Sequence, residues 1–187
     1  MRFYISTDCD LLYLIILAVQ IAKYPNETSL KISHATSYRY INIDGYEGGF
    51  EKSDVEQIIL NIESNYENWA TAFASLVVDQ KDPLSVDKFT KCLRRMRPEA
   101  ALPVAKIIFY SDERDILDKV MTPCTIIQTT SDIVAPKSVA FYMQNKIKGK
   151  STVEIIETDG HFPQLTAHLQ FLQVLRNVLG FSDLGHN

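Results

Sequence analysis

The chain has 187 residues, enough for one domain with a real core and a small subdomain. Hydrophobic residues make up 46%, which excludes a disordered chain. A net charge of −4 with a pI of about 5.6 gives no electrostatic basis for binding nucleic acid or an acidic membrane surface.

Residues 2–6 predict a short strand, and Asp10 is placed to cap the helix that follows. Residues 11–22 are apolar almost all round, but 12 residues are too few to span a bilayer and suit a buried helix. Asp8 and Asp10 stand where a signal peptide needs positive charge. Residues 30–35 predict a second strand, so the first 36 residues read as a parallel βαβ unit. Gly45 and Gly48-Gly49 then break the pattern.

Four short helices are predicted between 51 and 112, with no convincing strand. Ser53-Asp54-Val55-Glu56 reads as a capping box, and Val55, Ile58, Ile59 and Ile62 give the first helix one apolar face. Trp69, Phe73, Leu76 and Val77 define a second helix, and Val86, Phe89, Leu93 and Met96 a third. Pro98 ends the third, and the fourth covers 102–110. After a short helix at 114–119 the α/β alternation resumes: strand 124–129, helix 137–146, strand 152–156, then one long helix from 163 to 179 stopped by Gly180.

The two later strands are short apolar runs between turn signals, as in the covered strands of a parallel sheet. Each delivers one polar residue into a following loop, Asp132 after the first and His161 after the second. Both loops fall at the same sheet edge. An acid followed by a histidine near the C-terminus is the order of a carboxylate that orients an imidazole base. An Asp in such a loop equally serves as a turn or cap, and a lone His equally serves packing. The three cysteines, Cys9, Cys92 and Cys124, are scattered without the Cys/His spacing of a zinc site; no metal is expected, and a reducing compartment is.

Several segments together resemble the plant α/β-hydrolases that perceive strigolactones and karrikins, in particular their DWARF-fourteen-like branch. They are Ser37-Tyr38-Arg39-Tyr40-Ile41-Asn42, Tyr46-Glu47-Gly48-Gly49-Phe50, Asn65-Tyr66-Glu67-Asn68-Trp69, Arg95-Met96-Arg97-Pro98, Phe109-Tyr110-Ser111-Asp112, Gln128-Thr129 through Asp132 to Pro136, and Asp159-Gly160-His161-Phe162-Pro163-Gln164-Leu165. The resemblance covers 33–181 in one register. It implies an α/β-hydrolase fold: an incomplete, mostly parallel sheet flanked by helices, with a four-helix lid inserted. The division implied is 1–50 as a partial, divergent core, 51–112 as the lid, and 113–187 as the C-terminal part of the core.

The resemblance further implies that Asp132 and His161 are the catalytic acid and base, and that Tyr40, Phe50, Trp69, Phe73 and Phe109 line the ligand pocket. It implies a small apolar lactone of the butenolide type as ligand and no cofactor. F-box and repressor proteins would be recruited through lid residues such as Lys91, Arg94 and Glu99, in the cytoplasm and nucleus. One departure matters. Counting back from Gly48-Gly49-Phe50 places the family's nucleophile elbow on Cys9-Asp10-Leu11-Leu12-Tyr13, with Leu11 at the serine position. The family's first strands, with half of its oxyanion hole, lie upstream of residue 1. The expectation is an N-terminally truncated chain that does not hydrolyse lactones; a non-catalytic binding module and a fragment without autonomous function are the other readings.

Overall fold

A computed structural model describes residues 31–34 and 37–180. The expected strand 2–6, the helix capped by Asp10, position Leu11 and the C-terminal tail lie outside the described residues. Among the described residues three parallel strands form a sheet in the order β1 (Lys31–His34), β2 (Cys124–Ser131), β3 (Ser151–Asp159). Helix α5 (Lys137–Lys146) carries the chain from β2 to β3 and packs on both. Parallel strands need such a crossover.

β2 is the buried strand: Cys124 through Thr129 are all shielded from solvent, and Ile127 and Thr129 are fully so. Its branched, apolar residues suit a strand covered on both faces. Cys124 and Ile126 meet Val139, Ala140 and Met143 of α5 in one core, which Tyr38, Tyr46 and Leu117 complete. β3 departs from the expected covered strand. Only Ile156 along it is buried, and Ile155 is 38% exposed. It is an outer strand of the described sheet, with β2 on one side only.

Between β1 and β2 the chain forms four helices: α1 (Lys52–Ser64), α2 (Tyr66–Val77), α3 (Pro83–Arg95) and α4 (Pro98–Tyr110). α1 packs on α2 and α4, and α2 packs on α3. Ala70 and Ala74, one turn apart on α2, are fully buried. Their small side chains let neighbouring helices approach closely. The first cap differs from expectation: Glu51, not Ser53, is the N-cap of α1, in a reciprocal box with Asp54. Asn65 and Asp82 cap α2 and α3 by accepting the backbone N–H of Asn68 and Ser85. α4 begins four residues earlier than expected. Pro98 does not merely end the helix before it; it occupies the first turn of the next, where its missing N–H costs nothing.

The long C-terminal helix is broken in two, α6 (Pro163–Thr166) and α7 (His168–Leu179), by Ala167 at φ −137° and ψ 43°. Gly180, left-handed at φ 70°, ends α7 as expected. Cys124 is buried and its Sγ donates to Thr122 O at 3.2 Å, while Cys92 is disulfide-bonded. Among the described residues no helix is long and apolar enough to cross a membrane, and no group of His, Cys, Asp or Glu is arranged to hold a metal ion.

Candidate active site

β2 and β3 run side by side and end at the same edge, so the loops that follow them are neighbours. The register slips between Thr129 and Ser131, where β3 carries one residue more than β2. Such a bulge re-aims the strand end that it precedes. Thr130 Oγ1 bonds Ile156 O and Glu157 Oε2 at the slip.

Asp132 Oδ2 lies 2.7 Å from His161 Nδ1. The Asp132 side chain is fully shielded and that of His161 is 13% exposed. The other carboxylate oxygen, Oδ1, accepts the backbone N–H groups of Val134 and Ala135 at 2.8 and 3.1 Å. Gln128, buried in β2, donates to Ala135 O at 3.0 Å and fixes the far side of the same loop. One carboxylate oxygen thus organises the turn and the other faces the imidazole. Burial pushes the Asp132 carboxyl up, but His161 and the two backbone amides outweigh it and hold the group below its ordinary value. An ionised carboxylate only accepts, so the proton sits on Nδ1 and leaves Nε2 as the basic nitrogen. A nitrogen so prepared takes a proton from a hydroxyl or thiol presented to it.

The histidine loop is held by two backbone–backbone hydrogen bonds and one from a side chain. Gly160 N donates to Ser131 O, His161 N donates to Val77 O, each at 2.7 Å, and Thr129 Oγ1 donates to Gly160 O, also at 2.7 Å. Val77 is the last residue of α2, so the helical layer itself supports the histidine. Phe162 continues the junction, 4.4 Å from the ring of Phe89 on α3.

The five expected pocket aromatics fall in one cluster on the helical side. Trp69 stacks on Phe73 at 5.0 Å; Phe73, Phe50 and Tyr40 each meet the edge or face of Phe109 within 6.3 Å. Phe50, Trp69 and Phe109 are buried, and Tyr40 and Phe73 partly so. Burial above all pushes the Tyr40 phenol up to about 12, so it stays neutral. Among the described residues, Trp69 Nε1 and Gln164 Oε1 are the buried side-chain atoms without a hydrogen-bond partner. A buried orphan donor costs about 1–3 kcal/mol, so Trp69 carries an unmet demand for an acceptor. A cleft of about 510 Å³ opens beside the acid loop, between Phe50, Asp132 and Ile133 on one side and Ile58 and Leu76 on the other. Of the five aromatics Phe50 lines this cleft, and it shares one apolar cluster with Tyr40, Trp69, Phe73 and Phe109. Asp132 and the aromatics were legible as residue types. Thr129, Gly160 and Val77 were not, because their roles rest on contacts between distant segments.

A parallel sheet with a helical layer above it and an acid–imidazole pair at its strand ends defines an α/β-hydrolase. Solved hydrolases agree in fold: one from Oleispira antarctica superposes with a TM-score of 0.80 at 27% identity over 90% of this chain and 62% of its own, and an esterase from Exiguobacterium antarcticum with 0.78 at 21% over 88% and 63%. No family model matches the sequence. Among curated proteins, Strigolactone esterase D14 of Arabidopsis thaliana is 41% identical over 143 residues, covering 76% of this chain and 54% of that protein. Karrikin insensitive 2 receptor IA of Petunia hybrida is 42% identical over 144 residues, covering 76% and 53%. The chain belongs to this α/β-hydrolase family of strigolactone esterases and karrikin receptors, and spans about half the length of the relatives that it matches.

Proposed function

We propose that this chain binds a small butenolide-type lactone in its aromatic cluster and is catalytically impaired. The observation that carries the reading is the orphan indole N–H of Trp69, buried among rings in the same apolar cluster as Phe50, which lines the cleft together with Asp132. Flat apolar walls with one unmet donor suit a ring ester, which offers carbonyl and ring oxygens and little else polar. Asp132 and His161 supply the acid and base of a hydrolase relay. The residue counted onto the nucleophile position, Leu11, has no atom that attacks a carbonyl. Loss of the serine leaves only the residual rate that binding and oxyanion stabilisation give.

In this reading the helical layer 51–112 is the ligand-responsive lid, and its exposed residues Lys91, Arg94 and Glu99 lie on the face offered to F-box and repressor proteins in the cytoplasm and nucleus. Two measurements test the proposal. The purified chain is incubated with a fluorogenic butenolide beside a His161→Ala control; no turnover above the control is expected, and turnover that the substitution abolishes overturns the inactive half. A non-hydrolysable lactone is then titrated in a thermal melt. A ligand at a hundred times its Kd stabilises by about 2.7 kcal/mol, which raises the midpoint of a domain this size by about 5–10 °C. An unmoved midpoint at saturating solubility overturns the binding half.

A further inference from the structure

We propose that Thr129 is a positioning residue for His161, an inference that rests on the reading of Asp132 and His161 as the acid–base pair. Thr129 lies in β2, three residues before the acid, and is fully buried. The preceding β2 residue on the same face is Ile127, and a valine at 129 would fill the same volume as the threonine without the hydroxyl. The hydroxyl has one evident task. Its Oγ1 donates to Gly160 O at 2.7 Å, across the sheet from β2 to the loop after β3.

The carbonyl that it holds belongs to the peptide unit whose nitrogen is His161 N, and that N–H donates to Val77 O on the opposite side. One peptide plane is thus gripped at both ends, its oxygen by the sheet and its nitrogen by α2. Gly160 N, bonded to Ser131 O, fixes the plane before it. The direction in which the His161 side chain leaves the backbone follows from the orientation of this plane. Asp132, tied to the amides of Val134 and Ala135, cannot move to follow a histidine that tilts. Regular ladder pairing is lost between Thr129 and Ser131, and the hydroxyl adds to the two backbone bonds a third point that sets the plane. Thr129 therefore acts on the 2.7 Å contact between Asp132 and His161 through the Gly160 carbonyl rather than through a bond to either side chain.

The test reads the imidazole rather than turnover, so it does not depend on the chain being an active hydrolase. The full chain is labelled with ¹⁵N-histidine, and the Nδ1 proton of His161 is observed as a strongly deshielded resonance in the Nδ1–H tautomer. His161→Ala and Asp132→Asn identify it; if neither removes a deshielded resonance, the acid–base reading itself falls. Thr129→Val keeps the volume and deletes the donor. The expected result is loss of the deshielded resonance or its broadening by faster exchange, with both ring tautomers populated. Thr129→Ser, which keeps the hydroxyl, restores the wild-type signal. Should the valine variant fail to fold, the comparison of Thr129→Ser with Thr129→Ala isolates the hydroxyl in the same way. A valine or alanine variant with a wild-type resonance and a lower melting midpoint makes Thr129 a packing residue only and overturns the proposal. So does a serine variant that fails as the valine or alanine one does.

Discussion

Replacing Gly160 with Ala puts the largest identifiable strain on the histidine loop. Gly160 has φ +85°, a left-handed conformation that costs a residue with a Cβ about 1–2 kcal/mol. A Cβ there would also stand 2.7 Å from Asp79 N and 3.0 Å from Val77 O and Val78 C. All three are backbone atoms at the end of α2, and Val77 O is already bonded to His161 N, so none can rotate away. Relief requires the histidine loop and the helical layer to part. Forced overlap in a packed site costs about 1–3 kcal/mol. Gly45 provides the internal control: its φ is +75°, but an added Cβ meets nothing within 4 Å. Alanine at either position removes a similar amount of unfolded-chain entropy, about 0.4–1 kcal/mol in favour of folding. Gly45→Ala should therefore cost about 0.5–1 kcal/mol and Gly160→Ala about 2–4 kcal/mol, or about 5–15 °C in melting midpoint. Urea midpoints measured by circular dichroism at constant slope give the comparison. Losses that agree within about 0.5 kcal/mol would refute the claim that the loop is seated against α2.

Trp69→Phe removes a buried donor that has no partner, so its stability cost should fall below the roughly 3–5 kcal/mol typical of deleting a large core aromatic, while affinity for an oxygen-bearing lactone drops; calorimetry with a carbocyclic analogue should show a smaller drop. Asp112 accepts from Arg114 and from Arg39, and the Arg114 hydrogen bond above all holds its carboxyl down at about 2. A depressed folded-state value means stabilisation that is full above the unfolded value of about 3.9 and fades as pH falls towards the folded one. The stability advantage of wild type over Asp112→Asn, followed by denaturation at stepped pH, should hold steady above about pH 5 and close by about pH 2. Leu117→Ala, at a fully buried position in the core beneath α5, should cost about 2–5 kcal/mol without altering the Asp132–His161 resonance, which a two-dimensional histidine spectrum checks.

The sequence was legible where one residue type carries one meaning. Asp132 and His161 followed strands that ended in turn signals, and the strands place them together at one edge. The four helices between β1 and β2 were visible as apolar faces, since burial against a neighbour imposes that period. Boundaries failed where two signals compete. Ser53 is a better capping residue than Glu51, but Val55 must turn into the core, and that sets the start of α1 earlier. Pro98 reads as a stop and as a start with equal right. The break at Ala167 was hidden because apolar residues recur on both sides of it without a glycine or proline between them. The exposure of β3 was hidden too: residues 152–156 have the composition of a covered strand, and what lies beside a strand is not written in it. The grip on the histidine loop was illegible for the same reason, since Thr129, Gly160 and Val77 meet only in space.

The pairing of β1 with β2 also bears on how the chain reaches its fold. Lys31 to His34 lie alongside Cys124 to Ile127, and all four helices of the upper layer stand between them in sequence. A parallel contact of that span closes a very long loop, so its entropy must be spent before the sheet returns any stability. Helices held by local contacts collapse sooner. Topology then sets β1 apart: the helical roof and the β2–α5–β3 unit draw on contacts nearer in sequence, and the first strand joins them across the longest closure.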